Sequence, residues 1–179
     1  IVFGAGGIGL NIVQAAALVS AYPIIAVDQY DNRLELAFEM GATNVINTQN
    51  EDVLQKIKEI FGTGGVDFFI DNTGQPSIIE MGYQITKPQG HVVLVGVPPK
   101  GNNISIHSLP LHFGKSISGS YGGDGSPHLD IPRYLNLYQN GRIKLHDQIS
   151  NIYRLEEING AVEGVRSGKV CGRCLISMN

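Results

Sequence analysis

The sequence predicts an α/β chain built on a doubly wound parallel sheet, and three observations predict it. A short apolar run at residues 1–3 breaks into Gly4-x-Gly6-x-x-Gly9 and then into a helical pattern. From there to about residue 96, strand-like and helix-like segments alternate in the order β, α, β, α, β, α, β, α, β. The strand segments are near-continuous apolar runs rich in β-branched side chains, as expected of strands covered on both faces.

Each element has its own signal. After the glycine turn, Ile8, Ile12, Ala15, Ala16 and Val19 recur at helical spacing, and the small alanines suit close packing on a sheet. Pro23 prevents that helix from running on into a second strand over residues 22–28. The next helix is capped by Asp31 or Asn32, runs through Leu34, Leu36, Ala37 and Phe38, and stops at Gly41. Val45-Ile46 forms a short third strand. Residues 51–61 carry Val53, Leu54, Ile57 and Ile60 on one helical face, ended by Gly62-Thr63-Gly64-Gly65. A buried strand at 66–71 leads into the loop Asn72-Thr73-Gly74, a helix spans about 76–85, and the turn Pro88-Gln89-Gly90 feeds a strand at 91–96. Residues 115–120 read as a sixth strand. Gly122-Gly123-Asp124-Gly125-Ser126-Pro127 is a breaker cluster, followed by helices near 131–139, with apolar Ile131, Leu135 and Tyr138, and near 155–166.

The glycine turn carries the chemistry. Gly4 permits the tight exit from the strand, Gly6 lets backbone approach a pyrophosphate without a Cβ in the way, and Gly9 lets the helix pack close to the strand. The free N–H groups and positive end of the helix then face the phosphates. Such turns also serve methyltransferases, flavoproteins and ordinary tight turns, so the next acidic residue matters. Asp28 ends the second strand at the roughly 20-residue spacing expected of a carboxylate that binds an adenosine ribose. The alternative is that Asp28 only caps the turn before the following helix.

Composition narrows the class. A length of 179 residues suits one domain or slightly more, and 42% hydrophobic with 16% charged residues describes a globular protein with a sizeable core. A net charge of −3 without a Lys/Arg cluster argues against a nucleic-acid partner. No apolar run has membrane-spanning length and no secretory leader precedes the first strand, so the expectation is a cytoplasmic protein with no membrane partner. The chain opens within a strand and without Met, which reads as a fragment whose upstream residues are missing. Cys171 and Cys174 are too few to complete a four-ligand zinc site and lie in what looks like a strand over 170–176, which favours a structural role over a redox or metal one. His91, His107, His112, His128 and His146 show no spacing that would build a metal site, so no metal-ligating and no catalytic residue is assigned within the chain.

Gly4-Ala5-Gly6-Gly7-Ile8-Gly9, Ile25-Ala26-Val27-Asp28, residues 37–43, Gly65-Val66-Asp67 and Gly90-His91-Val92-Val93-Leu94-Val95-Gly96 together resemble the medium-chain, zinc-dependent alcohol dehydrogenases, over essentially the whole chain. The tail, with Asp130-Ile131-Pro132-Arg133-Tyr134, Gly141-Arg142-Ile143-Lys144 and residues 155–159, is most similar to the branch that includes glutathione- and mycothiol-dependent formaldehyde dehydrogenases. The resemblance implies a Rossmann domain over residues 1–120 and a segment, 121–179, that completes it and packs back towards an N-terminal GroES-like catalytic domain absent here. It implies NAD as cofactor, with Gly4, Gly6, Gly7, Ile8 and Gly9 along the pyrophosphate and Asp28 on the adenosine ribose. Arg33 would lie over the same ribose, the alternative for it being a solvated helix charge. Asn72, Thr73 and Gly74 with Val95, Gly96 and Val97 would run beside the adenosine and nicotinamide halves, and Arg173 would reach the pyrophosphate. The family's zinc would belong to the full-length protein, with ligands outside this chain.

The function expected is therefore the NAD-binding domain of an alcohol or aldehyde oxidoreductase, inactive alone. A non-catalytic NAD-binding module and a methyltransferase are the alternatives. By the same resemblance a homodimer forms through the edge strand near 115–120, with Leu109, Leu111, Phe113 and Ile117 as its apolar part, unless those residues belong to the domain's own core.

Overall fold

In the computed structural model, which describes residues 1–178, six parallel strands form one sheet in the order 3-2-1-4-5-6. The elements are β1 (Val2–Phe3), α1 (Gly7–Leu18), β2 (Ile25–Asp28), α2 (Asp31–Glu39), β3 (Asn44–Asn47), α3 (Val53–Phe61), β4 (Val66–Asp71), α4 (Pro76–Ile85), β5 (Thr86–Leu94) and β6 (Ser116–Gly119). After them come α5 (Pro127–Gln139), β7 (Ile149–Arg154), α6 (Ile158–Arg166) and β8 (Arg173–Ser177), the two last strands forming a separate parallel pair. No helix among the described residues is long and apolar enough to cross a membrane.

Side chains alternate across the sheet and so divide the core in two. Val2 and Ala26 point to one layer, where Leu10 and Val13 of α1 meet Leu34, Leu36 and Ala37 of α2. Phe3, Ile25 and Val27 point to the other, where Ile57 of α3 and Tyr83 of α4 close over Phe69 and Val92. Gly41, with φ of +114°, follows the end of α2 and allows the chain to reverse.

The structure differs from the sequence expectations at several places. Ile8 and Val19 are exposed, because the face of α1 that meets the sheet carries Gly9, Leu10 and Val13, while Ile8 sits at the helix start and Val19 lies past its end. The residue preceding α2 is Tyr30, not Asp31 or Asn32. No side chain caps that helix, and Asp31 instead places its charge in the first turn, where the helix dipole favours it. β4 is buried only in part: Asp67 and Phe68, near its start, are exposed. Pro88-Gln89-Gly90 is not a separate turn but a bulge within β5, which advances from Thr86 to His91 while β4 advances only from Val66 to Phe68. The last strand begins at Arg173 instead of residue 170, which leaves Cys171 outside it; Cys171 and Cys174 are both free thiols. β7, Ile149–Arg154, has no clear sequence signal, since Ser150, Asn151 and Arg154 break up its apolar residues.

The C-terminal segment is attached to α1 by polar contacts. Asn11 and Gln148 exchange side-chain hydrogen bonds of 2.9 and 3.1 Å. The Gln14 amide donates to the Lys144 carbonyl at 3.1 Å and accepts from the Lys144 N–H at 2.6 Å. α5 buries none of its residues.

Phe69 is fully buried, its ring centroid 6.1 Å from that of Phe3, and a Cβ on Gly82 would overlap it. Phe69→Ala should therefore lower the free energy of urea unfolding by about 3–5 kcal/mol. Phe38→Ala, at a position 60% exposed, should change it by less than about 0.5 kcal/mol.

Candidate functional site

A cleft of about 700 Å³ opens at the carboxyl ends of the strands, between β1 and β4, where the strand order reverses. That is where ligands bind in doubly wound sheets, and the volume suits a small molecule. Its walls bring together Gly4, Gly6, Gly7, Ile8, Gly9, Asp28, Arg33, Asn72, Thr73, Val95, Gly96, Val97 and Arg173, all but one of the residues expected from the sequence.

The exception is Gly74, which does not line the cleft. It has a φ of +67°, and its N–H donates to Asp71 Oδ2 at 2.8 Å. A Cβ on it would lie 2.9 Å from the Pro98 nitrogen, so Gly74 is where the loops after β4 and β5 touch.

The three motif glycines have different reasons. Gly4 has a φ of +94° and donates its N–H to the Val27 carbonyl at 2.8 Å. A Cβ on Gly9 would run into the Gly4 carbonyl oxygen. Gly6 has an ordinary φ of −72°, and a Cβ on it would meet nothing within 4 Å. Nothing in the chain's own packing requires glycine there, and the space over it is open to a ligand. α1 begins at this point with no side-chain cap and no acidic residue in its first turn, so its N–H groups and positive end are uncompensated. The Arg173 guanidinium adds a cation, with Nε 2.6 Å from where a Cβ on Gly7 would fall. Together these make a seat for an anion.

Asp28 lies at the other end of the cleft and is buried. Its Oδ2 accepts from the Ala5 N–H at 2.8 Å, and its Oδ1 accepts from the N–H groups of Gln29 at 2.8 Å and Tyr30 at 3.2 Å. The carboxylate thus holds the turn before α2 and also faces the cleft beside the glycine turn. Arg33 NH1 lies 3.6 Å from Asp28 Oδ2, so Arg33 is a wall of the cleft and not a solvated helix charge. Two buried polar atoms of this wall, Arg33 Nε and Asn72 Oδ1, have no hydrogen-bond partner. Asn72 donates from Nδ2 to the Gly4 carbonyl at 3.1 Å. A polyhydroxylated anion such as a dinucleotide fits this set: an open glycine, a helix N-terminus with an arginine, and unsatisfied polar groups along the wall.

Sequence reasoning missed Phe3, Val27, Gln29, Thr48, Gln75 and Ile78 as lining residues. Thr48 and Gln75 each follow a strand's carboxyl end, which is the signal that could have found them. None of the five histidines lines the cleft. Among the described residues no three His, Cys, Asp or Glu side chains gather in a group that could hold a metal ion.

The family model described as zinc-binding dehydrogenase matches residues 7–140. The chain is 32% identical over 176 residues to S-(hydroxymethyl)glutathione dehydrogenase of Paracoccus denitrificans, covering 94% of this chain and 47% of that protein. The fold superposes on benzyl alcohol dehydrogenase of Acinetobacter calcoaceticus with a TM-score of 0.90 and 37% identity, over 99% of this chain and 48% of that one. A zinc-binding dehydrogenase from Sinorhizobium meliloti, solved with NADP, gives a TM-score of 0.78 and 29% identity over 89% of this chain and 46% of that one. The chain thus spans about half the length of the relatives it matches.

The glycine geometry makes a direct prediction. Gly9→Ala should lower stability by about 1–3 kcal/mol, since the added methyl meets backbone that can move only by shifting the turn. Gly6→Ala should stay within about 0.5 kcal/mol of the unaltered chain. Thermal unfolding of the two variants reads the difference.

Proposed function

The chain belongs to the zinc-binding dehydrogenase family, and from that premise we propose that its cleft binds NAD for hydride transfer between the carbon of an alcohol or aldehyde and the nicotinamide ring. The observation that carries the reading is the open face of Gly6 at the positive end of α1, in one cleft with the carboxylate of Asp28. In this reading the N–H groups at residues 7–9 and the Arg173 guanidinium hold the pyrophosphate, with Gly4, Gly6 and Ile8 shaping its bed. Asp28 accepts from the adenosine ribose hydroxyls and Arg33 covers the same ribose. Asn72, Thr73, Val95, Gly96 and Val97 flank the path to the nicotinamide, and Gly74 keeps their two loops in contact. Bound NAD supplies the hydride acceptor. The zinc implied by the family name has no seat among the described residues. Residues 121–179 complete the cofactor domain by delivering Arg173, and the exposed apolar side chains of α5, Ile131 and Leu135 among them, are surface for further protein.

The same reading includes a preference for NAD over NADP. A ribose 2′-phosphate would bring a second negative group against the Asp28 carboxylate in a partly dry cleft, where like charges repel strongly. Arg33 offsets part of that repulsion. Asp28→Ser should reduce the ratio of NAD to NADP affinity by about tenfold, corresponding to roughly 1.4 kcal/mol. Calorimetric titration with both cofactors measures it, and equal affinities in the unaltered chain would sink the assignment.

We also propose a homodimer through β6, which is an edge of the sheet. The Ser120 N–H donates inward to the Leu94 carbonyl at 2.9 Å, so by the alternation of a strand the Ile117 and Gly119 N–H groups face outward. Leu109 and Phe113 beside it are 54% and 69% exposed, free of the domain's own core, whereas Ile117 packs partly against it. Two copies pairing β6 antiparallel about a twofold axis would continue one sheet and cover these side chains. Sedimentation velocity at micromolar concentration should give a dimer, and Ile117→Pro, which deletes an outward donor, a monomer that still binds NAD. An unaltered chain that stays monomeric at high concentration overturns this interface.

A further inference from the structure

Arg33 reaches the cleft incompletely satisfied. Its NH1 is 3.6 Å from Asp28 Oδ2, and its Nε is buried without a hydrogen-bond partner. The group that meets its flat face is Tyr30, whose ring centroid lies 4.7 Å from the guanidinium carbon. Tyr30 does not line the cleft, and its ring is itself held in place. Gly168 is buried, has a φ of +72°, and lies so close that a Cβ on it would overlap the Tyr30 ring. Gly168 in turn closes the end of α6, its N–H donating to the Val165 carbonyl at 3.2 Å.

We propose that Tyr30 is a positioning residue for the adenosine end of the bound dinucleotide: packed against the backbone at Gly168, its ring holds the Arg33 guanidinium at the cleft wall. The inference rests on the nucleotide reading given above and adds to it a residue outside the lining. An arginine on a long stem loses considerable rotamer freedom when it must adopt one geometry for a ligand. A ring that stacks on the guanidinium removes that freedom before the ligand arrives, which is preorganisation. The C-terminal segment then acts on both ends of the cleft, through Gly168, Tyr30 and Arg33 at one end and through Arg173 at the other.

The test is a double-mutant cycle read by calorimetric titration of the chain with NADH and with ADP-ribose, which lacks the nicotinamide. Tyr30→Leu should weaken both ligands by about fivefold, the size of one partly exposed cation–π contact, and Tyr30→Phe, which keeps the ring, should stay within about twofold. In an Arg33→Ala background, Tyr30→Leu should produce no further loss. If the leucine variant unfolds, Tyr30→Met repeats the arm with a side chain that fills space without a π face. Unchanged affinity in Tyr30→Leu, an equal loss in Tyr30→Phe, or the same loss in the Arg33→Ala background would each overturn the positioning role while leaving the nucleotide reading intact. Failure of the unaltered chain to bind either ligand overturns the nucleotide reading, and this inference with it.

Discussion

The Asp28 carboxylate takes hydrogen bonds from two turns that are far apart in the chain, Ala5 after β1 and Gln29-Tyr30 after β2, and the shape of the cleft depends on that junction. A buried carboxylate is costly unless its oxygens are met, and here three backbone N–H groups and the Arg33 guanidinium meet them. Each of those three N–H groups is satisfied by the same carboxylate. Removing the carboxylate would leave N–H groups of both turns without an acceptor at a place where water has little access. The glycine turn is therefore held as firmly by a residue of the second strand as by its own glycines.

A second aspartate does the same work across the switch point. Asp71, fully buried at the end of β4, accepts from the Thr73 N–H and hydroxyl on one oxygen and from the Gly74 N–H on the other. Its backbone carbonyl accepts from the N–H groups of Val95 and Gly96, which ties the loop after β5 to the loop after β4. The glycines follow from this tie: a Cβ on Gly96 would overlap the Gly74 nitrogen and the Asn72 carbonyl carbon. Gly74 and Gly96 thus let two loops touch, and only Gly96 also faces the cleft. One half of the cleft is organised by Asp28 and the other by Asp71, each at the carboxyl end of a strand adjoining β1.

How much of this was legible in the sequence depended on how local the cause was. β4 and α4 fall where breakers and Pro76 put them, because Gly65 and a proline in the first helical turn act on their own neighbours. The glycine turn and Asp28 were legible because their spacing reflects one strand, one turn and one helix. The exposure of Ile8 was not, since the helical period fixes a stripe but the direction of the sheet decides which stripe is buried. The bulge at 88–90 carries the same sequence signal as a turn, because Pro and Gly mark both, and only the pairing with β4 tells them apart. Arg173 could be assigned only by resemblance, as its approach to Gly7 depends on contacts across more than half the chain.

Those contacts explain why the cleft is a property of the whole chain. The glycine turn forms from six consecutive residues, 4–9, yet the cation beside it arrives on β8, carried there by a segment that docks on α1 through amides: Asn11 to Gln148 and Gln14 to the Lys144 backbone. Gln148 and Gln14 are buried, so these bonds are both directional and expensive to leave unmade. An apolar contact would tolerate a shift along the helix, whereas paired amides fix one register. That register sets the approach of Arg173 to Gly7 and the packing of Gly168 on Tyr30 together, since both lie on the stretch that follows α6. The anion seat is therefore assembled from the two ends of the chain, Gly7 near the start and Arg173 near the end.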